Sequence, residues 1–176
     1  MEKRITLIFA NGILDYPTGL ADLLDQAVLI IAADGGANHC ERFNITPDIL
    51  LGDLDSIAPA NLAKYKKKGI AITQHPTRKD ATDLELALDL AVEKDSQPIW
   101  LVGALGGRWD MSLANIMVAA SDKYRERKIF LLGQDCSMQI LHPGKIHPIT
   151  GMPDQKISLL PLKNDAHGVT LKGFEY

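Results

Sequence analysis

The chain has 176 residues, of which 46% are hydrophobic and 23% charged, and its formal net charge is −3. This composition is that of a soluble globular protein with one domain, or one domain and part of a second. The charge provides no basic surface for nucleic acid or an anionic membrane, and no apolar run is long enough to cross a bilayer. No signal-peptide pattern opens the chain, and two cysteines support neither a disulfide framework nor a zinc site. We therefore expect a cytoplasmic protein.

Six short apolar runs predict strands, and the segments between them predict helices. The runs lack polar alternation, which is typical of a parallel sheet covered on both faces. The predicted strands are residues 4–10, 28–33, 49–51, 70–73, 99–102 and 129–132. The predicted helices are residues 18–26, 37–43, 59–68, 82–93 and 112–124. This alternation predicts an α/β fold with a doubly wound, mostly parallel six-stranded sheet.

Two of the predicted helices begin with a capping residue. Thr18 is expected to cap the first helix, because a hydroxyl at this position can accept a backbone N–H. Thr82 is followed three residues later by Glu85, which matches the capping box at the start of a strongly periodic helix.

The sequence changes character after Gly133. Helical periodicity ends, Pro and Gly become frequent, and short β-like runs occur at residues 138–141, 156–160 and 169–171. We therefore assign residues 1–134 to an α/β domain and residues 135–176 to part of a small all-β, sandwich-like domain.

Two acids follow the third predicted strand. In an extended backbone Asp53 and Asp55, two residues apart, point to the same side and can reach one point in space. Two carboxylates this close repel each other unless a cation lies between them, and oxygen ligands favour Mg²⁺. The alternative is that both acids make turn hydrogen bonds and cap the next helix.

Other loops after strands are also polar or rich in glycine. They contain Asn11-Gly12, Asp34-Gly35-Gly36, Lys79 with Asp80 and Asp83, and the segment 103–110. The carboxyl ends of parallel strands form the ligand crevice, so the five loops are expected to converge, which favours a binding site over isolated turns.

The residue types in these loops predict a nucleoside triphosphate site. Acids can hold Mg²⁺, Lys79 and Arg108 can offset phosphate charge, and glycine-rich loops offer backbone N–H groups. The sequence has no G-x-x-x-x-G-K-[ST] motif, and no G-x-G-x-x-G follows the first strand. It is therefore not a P-loop enzyme, and a dinucleotide-binding fold is unsupported.

Four sequence blocks resemble the thiamine pyrophosphokinase family in order and spacing, from about residue 4 to residue 133. They are Ala33-Asp34-Gly35-Gly36-Ala37-Asn38, Pro47-Asp48 with Gly52-Asp53-Leu54-Asp55-Ser56, Asp80-Ala81-Thr82-Asp83, and Gly103 to Asp110 with Leu113-Ala114-Asn115. The resemblance implies transfer of the pyrophosphoryl group of ATP to the hydroxyl of thiamine, with release of AMP. It also implies a homodimer whose α/β catalytic domain is followed by a β-sandwich.

The resemblance implies roles for individual residues. Asp53, Asp55, Asp80 and Asp83 are expected to be catalytic, with Asp53, Asp55 and Asp83 as Mg²⁺ ligands. The residues expected to bind the nucleotide are Asn11, Gly12, Asp34, Gly35, Gly36, Lys79, Thr82, Gly106, Gly107, Arg108 and Asp110.

The sequence departs from the family pattern at two places. Met111 stands where the family commonly has His, and the sequence ends at Tyr176, before the rest of the family's β-sandwich. Two alternatives stay open, a pyrophosphokinase for another alcohol such as a hydroxymethylpterin, and an ATP-binding module without turnover. A phosphatase of the haloacid dehalogenase type is disfavoured, because its Asp-x-Asp follows the first strand, where this chain has Asn11-Gly12.

Overall fold

A computed structural model describes residues 5–77, 80–95, 97–151 and 154–175. The chain forms two compact units, Met1–His142 and Pro143–Tyr176. All strands and helices found in the described residues belong to the first unit.

The first unit is built on one sheet of seven strands in the order β4-β3-β2-β1-β5-β6-β7. The strands are β1 (Ile5–Phe9), β2 (Ala27–Ala33), β3 (Ile49–Gly52), β4 (Ala71–Gln74), β5 (Ile99–Val102), β6 (Ile129–Leu132) and β7 (Ser137–Gln139). The first six pair in parallel, and β7 is antiparallel to β6. The predicted fold, a mostly parallel α/β sheet, is confirmed.

Helices cover both faces of the sheet. They are α1 (Leu20–Leu24), α2 (Gly36–Arg42), α3 (Pro59–Lys67), α4 (Asp83–Glu93) and α5 (Trp109–Ala119), with a short 3-10 helix at Asp122–Tyr124. Successive residues of a strand point to opposite faces. Accordingly, Leu7 of β1 packs in one core cluster with residues of α1, α2 and α3, and Ile8 packs in another with residues of α4 and α5. Among the described residues, no helix has the length and hydrophobicity of a membrane span.

The strand order brings several loops to one place. β1 lies between β2 and β5. On one side of β1 the strands β2, β3 and β4 follow one another in chain order, and on the other side β5, β6 and β7 do so. The strand order therefore reverses at β1. In open parallel sheets, ligands bind beyond the carboxyl ends of the strands at such a reversal. The loops after β1, β2, β3 and β5 therefore surround the expected crevice.

The structure differs from our expectation beyond Gly133. The β-like run predicted at 138–141 overlaps β7, which pairs with β6 and so extends the main sheet. The runs at 156–160 and 169–171 form no strand in the described part of Pro143–Tyr176. Their apolar side chains are exposed, as at Leu160 and Val169, and a strand needs paired and packed neighbours to be stable. Residues 137–139 thus belong to the first unit, and that the rest of residues 135–176 forms part of a β domain stays a prediction.

One of the two predicted caps is wrong and one is confirmed. The N-cap of α1 is Gly19, with φ of +85°, rather than Thr18. Glycine adopts this left-handed backbone without strain, so it can start the helix where threonine could not. Thr82 caps α4 as predicted, and its side chain accepts the backbone N–H of Glu85.

Candidate active site

Three carboxylates from separate elements form a group at the crevice. Asp34 follows β2, Asp53 follows β3, and Asp83 is the first residue of α4. One oxygen atom of each lies within 4.8 Å of the others. Asp34 is buried, and Asp53 and Asp83 are half-buried. We call Asp34, Asp53 and Asp83 the acid triad.

Gly52 makes room for the acid triad. A Cβ atom on Gly52 would lie 3.0 Å from Cβ of Asp34 and 3.1 Å from both Cγ and Oδ1 of Asp83. The φ angle of Gly52, +137°, also lies in a region that residues other than glycine rarely adopt. Glycine at this position therefore lets two carboxylates from different elements approach each other.

Asp55 is not in the group of acids found among the described residues, contrary to what we expected from its spacing to Asp53. Its backbone N–H donates to Oδ1 of Asp53 at 3.4 Å. Leu54 between them has φ of +68° and is buried in the core, so the backbone turns here and is not extended. The carboxylate of Asp55 is exposed and accepts the hydroxyl of Ser56 at 3.0 Å. Asp34, which the family resemblance assigns to the nucleotide, is found in the group in place of Asp55.

Asp34 has an unusual backbone conformation and a hydrogen bond to the loop after β3. Its φ of +46° is unusual for a residue other than glycine, and such conformations are common at functional sites. Its Oδ1 atom accepts the backbone N–H of Ser56 at 3.3 Å. This bond joins the loop after β2 to the loop after β3.

The loop between β4 and α4 contributes only part of its expected residues. Asp80 is exposed, and it is not in the group of acids found among the described residues. Lys79 lies outside those residues. Thr82 caps α4 and thereby fixes the backbone that carries Asp83.

The loops after β1 and β5 touch through their backbones. The N–H of Gly12 donates to the carbonyl of Gly103 at 2.7 Å, and a Cβ atom on Gly12 would lie 2.4 Å from that oxygen. The side chain of Asn11 covers Gly35, because a Cβ atom there would lie 2.2 Å from Cγ of Asn11. Three of the residues assigned to the nucleotide are thus brought together, namely Asn11, Gly12 and Gly35.

His39 of α2, which is not among the residues predicted for the site, supports these loops. Its Nε2 atom lies 2.7 Å from the carbonyl oxygen of Gly12. Burial lowers the pKa of His39 below its ordinary value, the hydrogen bond to Gly12 opposes this, and the charge of Arg42 adds to the lowering. A neutral imidazole ring avoids the cost of burying a charge and can still donate its Nε2 proton to the carbonyl of Gly12. In the sequence, only its position just after the block that ends at Asn38 pointed to it.

The glycine-rich loop before α5 is held by two polar residues of that helix. Ser112 Oγ accepts the N–H of Gly106 at 3.0 Å and donates to the carbonyl of Arg108 at 3.1 Å. Asn115 Nδ2 donates to the carbonyl of Ala104 at 2.7 Å. The loop that carries Gly106 and Gly107 is therefore anchored at both of its ends.

Arg108 and Asp110 form a two-bond ion pair at the start of α5. Arg108 Nε donates to Asp110 Oδ1 at 3.1 Å, and a terminal nitrogen of the same guanidinium donates to Oδ2. Hydrogen bonding between the two side chains is the main cause of both pKa shifts: it lowers the pKa of Asp110 and raises the pKa of Arg108. Both side chains are exposed, so the pair contributes little to stability and stays accessible to a ligand.

Comparison with known proteins shows which family the chain resembles. The family model described as thiamin pyrophosphokinase, catalytic domain, matches residues 20–131. The thiamine pyrophosphokinase of Bacillus subtilis (strain 168) is 32% identical over 174 residues, which cover 99% of this chain and 81% of the relative. Thiamine pyrophosphokinase 2 of Arabidopsis thaliana is 30% identical, with coverage of 98% and 72%.

Solved structures show the same fold. The crystal structure of the Bacillus subtilis thiamine pyrophosphokinase matches with a TM-score of 0.61 and 34% identity, over 74% of this chain and 60% of that one. The yeast thiamin pyrophosphokinase matches with a TM-score of 0.62 and 19% identity, over 75% and 59%. The structural match thus spans about three fifths of each solved chain. Together with the catalytic-domain match over most of the first unit, these similarities show that the chain belongs to the thiamine pyrophosphokinase family.

Proposed function

We propose that this protein transfers the pyrophosphoryl group of ATP to the hydroxyl of thiamine, giving thiamine diphosphate and AMP. The observation that carries the proposal is the acid triad, Asp34, Asp53 and Asp83, at the carboxyl end of a parallel sheet. These acids come from three of the sequence blocks by which the chain resembles its family. Surface acids that served only as turn residues would have no reason to converge from three separate elements.

The acid triad fits Mg²⁺. The donors are all carboxylate oxygens, which hard divalent cations prefer. Octahedral Mg²⁺ with oxygen ligands at about 2.1 Å sets those ligands about 3 to 4 Å apart. The oxygen separations in the triad, within 4.8 Å, are close to this spacing. Bound there, Mg²⁺ would neutralise phosphate charge and orient the triphosphate.

The neighbouring loops supply the groups that an ATP molecule needs. Backbone N–H groups of glycine-rich loops and the cation of Arg108 can contact phosphate oxygens. Arg108 is exposed and paired only with Asp110 in the interactions described, so its guanidinium can reorient towards a phosphate. We assign the backbone around the phosphates to six residues, Asn11, Gly12, Gly35, Gly36, Gly106 and Gly107. Close packing supports this at Gly12, Gly35 and Gly36, where a Cβ atom would clash with neighbouring segments. The assignment of Lys79 to the phosphates rests on the sequence alone.

In the proposed reaction, the thiamine hydroxyl oxygen attacks the β-phosphorus of ATP. A bond forms between that oxygen and phosphorus, and the bond from phosphorus to the oxygen bridging to the α-phosphate breaks. AMP leaves with the bridging oxygen, and the hydroxyl proton passes to a carboxylate. We assign this last role to Asp55, because its side chain is exposed, its backbone N–H donates to Asp53 Oδ1 at 3.4 Å, and it does not belong to the triad.

The test is to incubate the protein with ATP, Mg²⁺ and thiamine and to separate the nucleotides and the thiamine species. Equal amounts of AMP and thiamine diphosphate are expected. AMP formed only with a hydroxymethylpterin would show that the alcohol is wrong. ATP left intact with every alcohol would show a binding module, and the proposed activity would then be wrong.

We further propose that two copies of the chain form the working enzyme. The support is an apolar stripe on α5, formed by Trp109, Leu113 and Met117, which are four residues apart and therefore lie on one face. Trp109 is 87% exposed, and a contiguous apolar surface on a folded protein usually marks an interface. Light scattering should give the mass of a dimer, and Leu113→Glu should give a monomer. A monomeric wild type, or a dimer that survives this substitution, would contradict the proposal.

We place the enzyme in the cytoplasm. Both cysteines are free thiols, and Cys136 is exposed, which suits a reducing compartment. Burial raises the pKa of Cys40 to about 12, so this core thiol stays protonated and unreactive.

A further inference from the structure

Asn38, the third residue of α2, makes three hydrogen bonds to the segment that follows β3. Its Nδ2 atom donates to the carbonyl of Ser56 at 2.8 Å. Its Oδ1 atom accepts the backbone N–H of Ala58 and the side-chain amide of Asn61, each at 3.0 Å. Ala58 is the N-cap of α3 and provides no side-chain cap of its own. Asn38 therefore ties α2 to both the loop after β3 and the start of α3.

The bond to Ser56 connects Asn38 to the acid triad. The peptide groups of Ser56 are held on both sides, since Asn38 binds its carbonyl and Asp34 accepts its N–H. Asp53 lies only three residues earlier in the same loop. The position of Ser56 thus affects Asp34 through a hydrogen bond and Asp53 through the backbone.

This loop needs an external support. Leu54 has φ of +68° and Asp34 has φ of +46°, and each left-handed backbone at a residue other than glycine costs free energy. The carboxylates of the triad also repel one another when no cation is bound. Contacts from a neighbouring element are required to keep the loop in place against both effects.

We propose that Asn38 is a positioning residue for the acid triad, which holds the loop after β3 so that Asp34 and Asp53 are arranged before the metal–nucleotide complex binds. The proposal rests on the proposed function, because it takes the triad as the metal-binding group. Asn38 touches neither metal nor nucleotide in this role and acts through Ser56.

The place of α2 in the fold does not depend on Asn38. Ala37 and Cys40 of α2 are fully buried against the sheet, and Tyr65 of α3 donates its hydroxyl to the carbonyl of Ala37 at 3.0 Å. Alanine also has a higher helix propensity than asparagine. Asn38→Ala should therefore leave α2 in place and release only the loop.

The matched control is Asn61→Ala. It removes one of the three partners of Asn38 and leaves the bonds to Ser56 and Ala58 intact. Both variants place alanine in a helix, so they differ mainly in the support of the loop.

The first measurement is hydrogen exchange of the backbone amides of Ser56 and Ala58 in the protein without ligands. Exchange should accelerate about tenfold in Asn38→Ala, the effect expected from losing one net hydrogen bond, and should stay near the wild-type rate in Asn61→Ala. Unchanged exchange in Asn38→Ala would overturn the proposal.

The second measurement is Mn²⁺ binding in the presence of ATP and without thiamine, followed by the paramagnetic resonance of free Mn²⁺. Asn38→Ala should weaken this binding by about tenfold or more, as is usual when a group supporting metal ligands is removed, and Asn61→Ala should not. Faster exchange with unchanged Mn²⁺ binding would reduce Asn38 to a structural residue. Equal weakening in both variants, or no binding by the wild type, would also overturn the proposal.

These measurements separate this proposal from the proposed function. Neither needs thiamine or turnover, so a wild type that binds Mn²⁺ with ATP but makes no thiamine diphosphate would contradict the activity alone. The role of Asn38 would then be judged on exchange and metal binding.

Discussion

The Nε2 atom of His39 lies 2.7 Å from the carbonyl oxygen of Gly12 and joins α2 to the loop after β1. A carbonyl oxygen can only accept, so Nε2 carries the proton of the bond. Gly12 donates in turn to the carbonyl of Gly103, which extends the connection to the loop after β5. Asn38, the preceding residue, holds the loop after β3. Two neighbouring residues of one short helix thus support three loops of the site.

The first prediction compares His39→Leu with His39→Gln. Leucine removes the donor, and glutamine retains an N–H at about the same distance along the side chain. Loss of this partly buried hydrogen bond should loosen the loop after β1 and raise the KM for ATP by about tenfold in His39→Leu. His39→Gln should stay within about threefold of the wild type in the same steady-state assay. Equal increases in the KM for ATP in both variants would indicate that the ring of His39 acts only by packing and that its hydrogen bond does not position the loop after β1.

The second prediction concerns the pH dependence of stability. Burial lowers the pKa of His39 in the folded state, so the unfolded chain binds its proton more readily. The stability associated with neutral His39 should be present above about pH 6.5 and be lost as the pH falls below that value towards the folded pKa. Denaturant unfolding at pH 7.5 and pH 5.5 should show a smaller fall in the free energy of unfolding for His39→Gln. The same fall in wild type and variant would assign the pH dependence to other groups.

The third prediction concerns Gly52→Ala. The added methyl group would lie about 3 Å from the side chains of Asp34 and Asp83, and alanine would be strained at φ of +137°. We expect a cost of about 1–3 kcal/mol in the free energy of unfolding. Mn²⁺ binding with ATP should be lost even at temperatures where the variant is folded. Gly69→Ala is the matched control, because its φ is also positive but a Cβ atom there meets nothing within 4 Å. Retained Mn²⁺ binding in Gly52→Ala would show that the triad does not need this close approach.

Much of the fold could be predicted from hydrophobic patterning, and the detailed geometry of the site could not. The strands at 99–102 and 129–132 are found with the predicted bounds, because short apolar runs between turn residues leave few alternatives. The composition of the acid triad depends on the backbone at Leu54. Leucine rarely adopts positive φ, so nothing in the residue type indicates a turn between Asp53 and Asp55.

The roles of Asn38 and His39 also could not be read from local sequence. Their partners lie 18 or more residues away along the chain, and the contacts form only when α2 packs beside the loops of other strands. The cap at Thr82 could be predicted because it is local, with donor and acceptor three residues apart.

The fourth prediction separates Asp53 from Asp55. Asp53→Asn removes a charge from the triad and should weaken Mn²⁺ binding with ATP and reduce kcat by orders of magnitude, because metal positioning carries much of phosphoryl-transfer catalysis. Asp55→Asn should leave Mn²⁺ binding near the wild-type value and reduce kcat by about 100-fold, as expected for loss of a proton acceptor. Mn²⁺ binding that falls equally in both variants would restore Asp55 as a metal ligand, and turnover unchanged in Asp55→Asn would remove its assigned role.

The last prediction separates stability from activity at the start of α4. Thr82 caps the helix through a 3.2 Å bond from the N–H of Glu85, so Thr82→Ala should cost about 1 kcal/mol and lower the melting temperature by about 2–4 °C. Asp83 is the next residue and gains only about 0.5 kcal/mol from the helix dipole. Its carboxylate belongs to the triad, so Asp83→Asn should lose at least about 100-fold in kcat with a smaller fall in melting temperature than Thr82→Ala. Thr82→Ser is the control, because it keeps the capping hydroxyl and should retain both properties. If Asp83→Asn loses melting temperature and turnover in the same proportion as Thr82→Ala, Asp83 acts as a helix-end residue and the triad has only two functional members.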